Sequence, residues 1–494
     1  MRVPRVSFAI SLMLAGCAPQ GTAAISPTPS VTRTVPPSAL ETSSPSLTPR
    51  PDIAPDGPYV LFYRTPDEGQ IAIMDADGRG LRSLRLPGPP YPYLYSDALS
   101  PQGDWIAFYT GTTGDALDLS LNLLHLPDGG VTTVTPLLSA DYPADLQTVA
   151  THFAFEVESP MAPNDLDLMV FRDCLKVFEW SPSGRYLAFA GQMDGPSSDL
   201  YILDTATFAI RRMTDDIAPL CGIRWAPDSL SLLVTDLIPE STPMGVGART
   251  LRHLPFDNPP LSGILALEEG FWWVGLGWVS PSQFLLGTGS DGGGPSNLRV
   301  LDLPSGSIDG IWPDMVEAYA IDFDQQLVAL TSLPSGAHAA GAPEGLQDGL
   351  YVSQRGQPAQ LVSPEIFWRL ATTGFAPYPI LGVTNGVFAI SLDGHAVRLS
   401  NMTESQSSVS PDRSWLVLYG PTGLEFFRSA GRATFQVGRV AATEVLWRPD
   451  SSGLYISTDS EVFLLDLPGT ELQLLDQCAP REQSCWFHFL GWTP

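Results

Sequence analysis

From residue 58 onward, short β-favouring apolar runs alternate with tight polar turns, and the alternation returns about every 40 to 50 residues. The turns carry a recurring phrase: Trp180-Ser181-Pro182-Ser183-Gly184, Trp225-Ala226-Pro227-Asp228, Trp278-Val279-Ser280-Pro281 and Trp447-Arg448-Pro449-Asp450. Ser100-Pro101-Gln102-Gly103 and Ser410-Pro411-Asp412 are versions without the tryptophan. An apolar run follows each turn ("DWIAFYT", "RYLAFAG", "SWLVLYG", "GLYIST"). A second run then ends near an aspartate ("DLYILD", "NLRVLDL", "EVFLLDL"). Runs of this length bounded by Pro, Gly, Asp and Ser predict antiparallel strands joined by tight turns. A tryptophan before each turn has a ring large enough to pack between neighbouring sheets, so these residues are expected in the core.

The repeat resembles the TolB-type propeller unit, a W-S-P-D-G turn followed by I-A-F and I-Y-V-x-D strands. The resemblance covers most of 58–494 and is weakest near 322–332 and 376–400. It implies an all-β fold: a single β-propeller of four-stranded blades. The folded part opens on "PYVLFYR" and "QIAIMDADG", strands without a preceding turn, and the chain stops at Gly491-Trp492-Thr493-Pro494, a turn without following strands. The C-terminal strand is therefore expected to complete the N-terminal blade, which removes an exposed sheet edge. Nine candidate units can be counted. Because propellers usually carry four to eight blades, eight is the expected number within a range of seven to nine.

Composition agrees. The 494 residues include 45 glycines and 47 prolines, with 16% charged and 44% hydrophobic residues. Many chain breakers with ample core material disfavour helical bundles. The net charge is −27 and Lys176 is the single lysine. Nucleic acid, which requires a basic footprint, is excluded as a partner.

Residues 1–57 read differently. Arg2 and Arg5 precede an apolar run, Val6 to Leu14, that is too short to span a bilayer. The run ends in Leu14-Ala15-Gly16-Cys17, which resembles the bacterial lipobox. That resemblance implies a signal peptide over 1–16, lipidation of Cys17 and an exported chain anchored to the outer side of a bacterial membrane. Residues 17–57, dominated by Pro, Ser and Thr, lack the apolar surface to offset ordering entropy and read as a tether.

If the strands of a blade are a to d, the a–b and c–d turns share one face of the ring. The b–c and d–a connections share the other. The turns are short, whereas 138–173, 237–248, 333–347 and 476–487 are long and all fall on the second face. Binding is expected there. Its candidates are Trp272, Trp273, Trp368 and Trp486, near the starts of a strands, with Asp141, Asp145, Asp165 and Asp167 in the longest insertion. Such a rim suits a protein or peptide partner, with a glycan as the alternative. The remaining cysteines are expected to pair as Cys174–Cys221 and Cys478–Cys485, among three possible pairings.

No catalytic motif appears. The six histidines are scattered, and H-E-x-x-H, G-x-S-x-G and the P-loop are absent. Asp75-Ala76-Asp77-Gly78 lacks the rest of a calcium loop and reads as a c–d turn. Gly289 to Gly294 reads as a b–c loop. The expectation is a binding scaffold without metal or cofactor.

Overall fold

The computed structural model describes residues 59–65, 70–88, 90, 96–111, 119–139, 141, 148, 177–215, 217, 220–238, 248–257, 273–290, 293–332, 347–374, 377–428, 433–438, 440–478 and 486–493. All lie within one compact unit, Ser46–Pro494. Among them the strands form nine antiparallel blades.

Blade 1 contains Trp486–Thr493, Tyr59–Thr65, Gln70–Asp75 and Arg82–Arg85. Blade 2 contains Trp105–Thr110, Ser120–His125 and Gly130–Pro136, and Leu99 bridges Ile106 where an a strand would lie. Blade 3 contains Phe178–Trp180, Tyr186–Gly191, Asp199–Asp204 and Ala209–Arg212. Blade 4 contains Leu220–Trp225, Ser231–Ile238 and Ala248–Pro255. Blade 5 contains Trp273–Ser280, Gln283–Ser290, Gly293–Asp302 and the first half of Ser307–Asp322. The second half of that strand opens blade 6, followed by Leu327–Ser332, Leu350–Gln354 and Gln360–Ser363. Blade 7 contains Arg369–Thr372, Ile380–Val383, Val387–Ile390 and Ala396–Ser400. Blade 8 contains Gln406–Val409, Trp415–Gly420, Gly423–Arg428 and Ala433–Gly438. Blade 9 contains Glu444–Trp447, Gly453–Ser457, Glu461–Asp466 and Leu472–Gln477.

The expected closure is present. Trp486–Thr493 runs antiparallel to Tyr59–Thr65, from Tyr59 opposite Thr493 to Thr65 opposite Trp486, with one bulge at Leu61/Phe62. Nine blades lie within the expected range but exceed the expected eight. All nine units countable in the sequence form blades, including the weakly patterned stretches near 322–332 and 376–400, which are built without a tryptophan turn. Ser307–Asp322 changes partner from blade 5 to blade 6 between Met315, opposite Ser296, and Val316, opposite Ser332. Gly289 to Gly294 is also more regular than expected, since pairing continues to Ser290 opposite Gly293. A glycine-rich run carries no apolar alternation from which to read a strand.

The core lies in the seams. Trp415–Gly420 is buried along its whole length, whereas the d strand Ala209–Arg212 alternates exposed and half-buried positions. Inner strands are covered on both faces by neighbouring blades and read as continuous apolar runs. One cluster joins Tyr109 and Leu121 of blade 2 to Trp180, Leu187 and Phe189 of blade 3. The a strands of blades 3 and 4, 6 and 7, and 9 and 1 approach one another, which places the a strands on the inside of the ring.

The repeated tryptophan is a seam donor as well as core. Trp180 Nε1 donates to Ala98 O of the preceding blade at 3.0 Å, and Trp225 Nε1 to Glu179 O at 3.0 Å. Trp447 Nε1 reaches Ser408 Oγ at 3.0 Å, and Trp492 Nε1 reaches Trp447 O at 2.7 Å. In blade 7 the position holds Thr372, whose Oγ1 donates to Ile321 O at 3.0 Å. Trp278 is the exception: its Nε1 is buried without a partner.

Replacement of Trp225 by phenylalanine removes buried volume and orphans the Glu179 carbonyl, with an expected cost of about 2–3 kcal/mol. Trp278→Phe removes a ring of the same size without breaking a hydrogen bond, at about 1 kcal/mol. Urea midpoints of the two variants check the difference, and equal shifts would remove the seam bond from the account.

Candidate binding surfaces

The two faces of the ring are built differently. On the turn face, Gly184 N–H closes back onto Ser181 O at 2.8 Å, and Tyr186 N–H donates to Ser181 Oγ at 3.0 Å. The fourth turn position is left-handed, at Gly103 (φ 73°) and Gly184 (φ 71°), and also at Ser229, Arg413 and Ser451. A Cβ on Gly184 would come 2.8 Å from Gln102 Cγ, because adjacent turns touch. Gln102 Nε2 donates to Ser183 O at 2.6 Å, Ser183 N–H to Ser229 Oγ at 3.1 Å, and Asp412 N–H to Ser451 Oγ at 3.1 Å.

On the opposite face, Trp368 immediately precedes the a strand of blade 7. Its backbone N–H donates to Val383 O at 3.1 Å, and the residue is 52% exposed. Trp273 opens the a strand of blade 5 opposite Thr288, and Trp486 opens that of blade 1 opposite Thr65. These three residues therefore occupy equivalent ends of their blades. Asp141 is exposed in a turn. Trp272, Asp145, Asp165 and Asp167 lie outside the described residues.

A group that the sequence pattern did not single out sits on the same face at blade 3. Arg212 pairs with Asp199 at 2.5 Å, Asp215 at 2.7 Å and Asp194 at 3.4 Å. Thr214 Oγ1 donates to Asp199 at 2.8 Å and the Tyr201 hydroxyl donates to Asp194. One guanidinium thus ties the b–c connection to the segment after strand d. Burial and the Asp194 carboxylate together push the Tyr201 hydroxyl far above its usual range.

The inner strands carry two charged contacts across seams. Glu179 of blade 3 lies 3.4 Å from Arg224 of blade 4. His488 Nδ1 of blade 1 lies 2.9 Å from Glu444 Oε1 of blade 9, whose Oε2 accepts Phe489 N–H at 3.0 Å. Burial pushes the Glu179 carboxyl up to about 7, against the opposing pull of Arg224 and of the Trp225 N–H, with Asp97 adding to the rise. A signal for this pair exists in the sequence. Glu179 and Arg224 occupy the same repeat position, one residue before the tryptophan, in consecutive blades.

The turn face also carries exposed apolar side chains: Leu81, Phe208, Leu230, Phe323 and Leu392. Two depressions of about 590 and 720 Å³ lie there between blades 6 and 7 and share Gln325 and Leu392. Arg413 of blade 8 pairs with Asp324 of blade 6, passing within 3.4 Å of the Cβ position at Gly374 of blade 7.

Cys478 is disulfide-bonded and follows the d strand of blade 9. Cys221 lies at a register shift in the a strand of blade 4. Cys17, Cys174 and Cys485 lie outside the described residues. Among the described residues no group of three metal-ligating side chains converges, and no helix is long and apolar enough to cross a membrane.

No family model matches the chain. A 56-residue stretch is 41% identical to an uncharacterized peptidase, YuxL, of Bacillus subtilis (strain 168), covering 11% of this chain and 8% of that protein. Among solved structures, a eukaryotic initiation factor is similar over 88% of this chain and 99% of its own, at 12% identity and a TM-score of 0.48. TolB from Acinetobacter baumannii is similar over 76% of this chain and 78% of its own, at 15% identity and a TM-score of 0.31.

The Glu179 carboxyl sets a pH dependence. Its value in the folded chain, about 7, lies above the ordinary 4.5 of the unfolded chain. The folded state therefore binds the proton more tightly, and stability present below pH 4.5 is lost as pH rises through 7. The expected loss is about 1–3 kcal/mol. Glu179→Gln keeps the neutral form at every pH, so its denaturation midpoint should exceed that of the parent at pH 8 and match it at pH 5. A parent midpoint that rises over this range would contradict the assignment.

Proposed function

We propose that this chain is an exported lipoprotein whose propeller is tethered to the outer side of a bacterial membrane. Its long-loop face binds a protein or peptide partner of the cell envelope. The observation that carries this reading is the contrast between the faces. The turns are short and hydrogen-bonded to one another, whereas tryptophans at a-strand starts lie at the opposite ends of the blades, next to the segments that the repeat pattern assigns to long connections. Trp368, 52% exposed beside a fixed strand, supports the choice of face, because a large aromatic in water is a ready anchor for a partner. The tether rests on Cys17 and on the proline-rich composition of 17–57. A single acyl chain holds a protein only marginally, so the proposed lipidation requires more than one chain.

Expression of the full chain in a bacterial host tests the anchor. The parent should enter the detergent phase and incorporate labelled fatty acid, and Cys17→Ala should do neither. A photoreactive amino acid at position 368 tests the face. It should yield a reproducible cross-linked protein from envelope extracts, and the same probe at Leu474, on an outer strand, should not. Identical capture from both positions, or none from either, would refute the assignment.

The proposed bridges are Cys174–Cys221 and Cys478–Cys485, which would staple the loops before blades 3 and 4 and before the closing strand. Non-reducing peptide mapping should recover both linked pairs. A Cys478–Cys174 or Cys478–Cys221 peptide would overturn the pairing.

A further inference from the structure

The two depressions between blades 6 and 7 differ in chemistry from the rest of this acidic molecule. Gln325, Gln354, Gln357 and Gln360 line them, all four exposed, and no side-chain amide among the four makes a hydrogen bond within the chain. The carboxylates beside them are already engaged. Asp393 accepts from Ser391 Oγ and from His395 N–H, and Asp324 is paired with Arg413. The accessible polar groups are therefore mainly neutral amides, each able to donate and to accept.

The apolar surface between them comes from single residues, Leu392 (37% exposed), Pro358, Pro377 and the half-buried Tyr378. No single deep pocket collects it. The floor is fixed. A Cβ on Gly394 would fall 1.8 Å from Val362 O, so the c–d turn of blade 7 is seated on the backbone of blade 6. Gln326, Arg355 and Gly356 hold left-handed conformations that set the blade 6 turns. The backbone beneath the site is already set, so binding orders mainly the glutamine side chains, and volumes of about 720 and 590 Å³ fall within the usual size of ligand clefts.

We propose that these depressions form a binding site for a neutral oligosaccharide. The amides of Gln325, Gln354, Gln357 and Gln360 take its hydroxyl groups, and Leu392 and Tyr378 lie under its C–H faces. Hydroxyl groups match amides in offering both a donor and an acceptor, and alternating hydroxyl and C–H surface matches alternating amides and isolated apolar residues. A polyanionic sugar would find only Arg355 as an uncompensated cation. The inference concerns the face opposite the proposed partner surface and is independent of it.

Titration calorimetry of the full chain with maltohexaose, cellohexaose, laminarihexaose and mannohexaose provides the test. At least one should bind saturably, with equal affinity at about 0.05 and 0.5 M salt, since a neutral ligand is not screened. The double variant Gln354→Ala/Gln357→Ala should weaken that binding at least about tenfold with an unchanged melting temperature. Leu392→Ser should also weaken it, and Trp368→Ala should leave it intact. Several outcomes would overturn the proposal: no binding by any of the four, undiminished binding by the double variant, or loss of binding in Trp368→Ala. A proline-rich dodecapeptide that binds where the sugars do not would reassign the depressions to peptide.

Discussion

Every blade depends on the pairing of Trp486–Thr493 with Tyr59–Thr65. A blade is a small sheet with two apolar faces, and each face is covered only by the next blade. In an open row the first and last blades would each leave one face in water and one edge unpaired. Closure removes both costs, and the 9/1 seam is correspondingly well made. The Tyr455 ring meets Trp492 edge-on at 5.6 Å, its hydroxyl lies within hydrogen-bonding distance of both Asp75 O and Ala76 O, and Trp492 Nε1 donates to Trp447 O. The partners of Tyr455 are about 380 residues away along the chain. Contacts of that separation form late in folding, because their loop-closure entropy is offset only once the intervening blades exist.

The two faces of the ring differ in how they are braced. The turn face is braced by hydrogen bonds between adjacent turns and by Arg413 reaching over Gly374 to Asp324. A glycine suits position 374 for its left-handed backbone (φ 64°), and the arginine passes at ordinary van der Waals distance, 3.4 Å, from where a Cβ would sit. Bracing makes this face suited to small, preorganised sites, and the depressions beside Gln325 lie next to the brace. On the opposite face Trp368 and Trp486 mark the starts of a strands in blades 7 and 1.

The architecture was legible because tryptophan turns repeat and because the two chain ends complement each other. Nine units were countable, but the usual ceiling of eight blades lowered the expected number, and Leu99, Ile321, Thr372 and Val409 stand where the other blades place tryptophan. Thr372 keeps the seam bond with its hydroxyl, whereas Leu99, Ile321 and Val409 offer no side-chain donor at the same position, so the bond supports individual seams without being required at every one. The depressions between blades 6 and 7 were invisible to pattern reading for a different reason. Gln325, Gln354 and Leu392 come from three separate turns, and a turn glutamine looks the same whether it faces bulk water or a neighbour's concavity. Glu179 and Arg224 were within reach, because equivalent positions of consecutive blades meet at a seam. That inference required knowing that the a strands are adjacent.

The net charge of −27 acquires a structural meaning from the turns. Asp412 is held at about 2 by Ser410, by the Ser414 N–H and by the Ser414 hydroxyl. Asp393 is held low by Ser391 and the His395 N–H, and Asp450 by Ser452. In each case the turn itself supplies donors to the charged form, so a carboxylate at this position is selected by turn geometry. A fold with nine blades multiplies such turns, which supply part of the acidity. Glu179 shifts the other way, because it sits on an inner strand where burial outweighs its donors. The direction of the shift therefore separates carboxylates that build the ring from one that the ring holds against its ordinary preference.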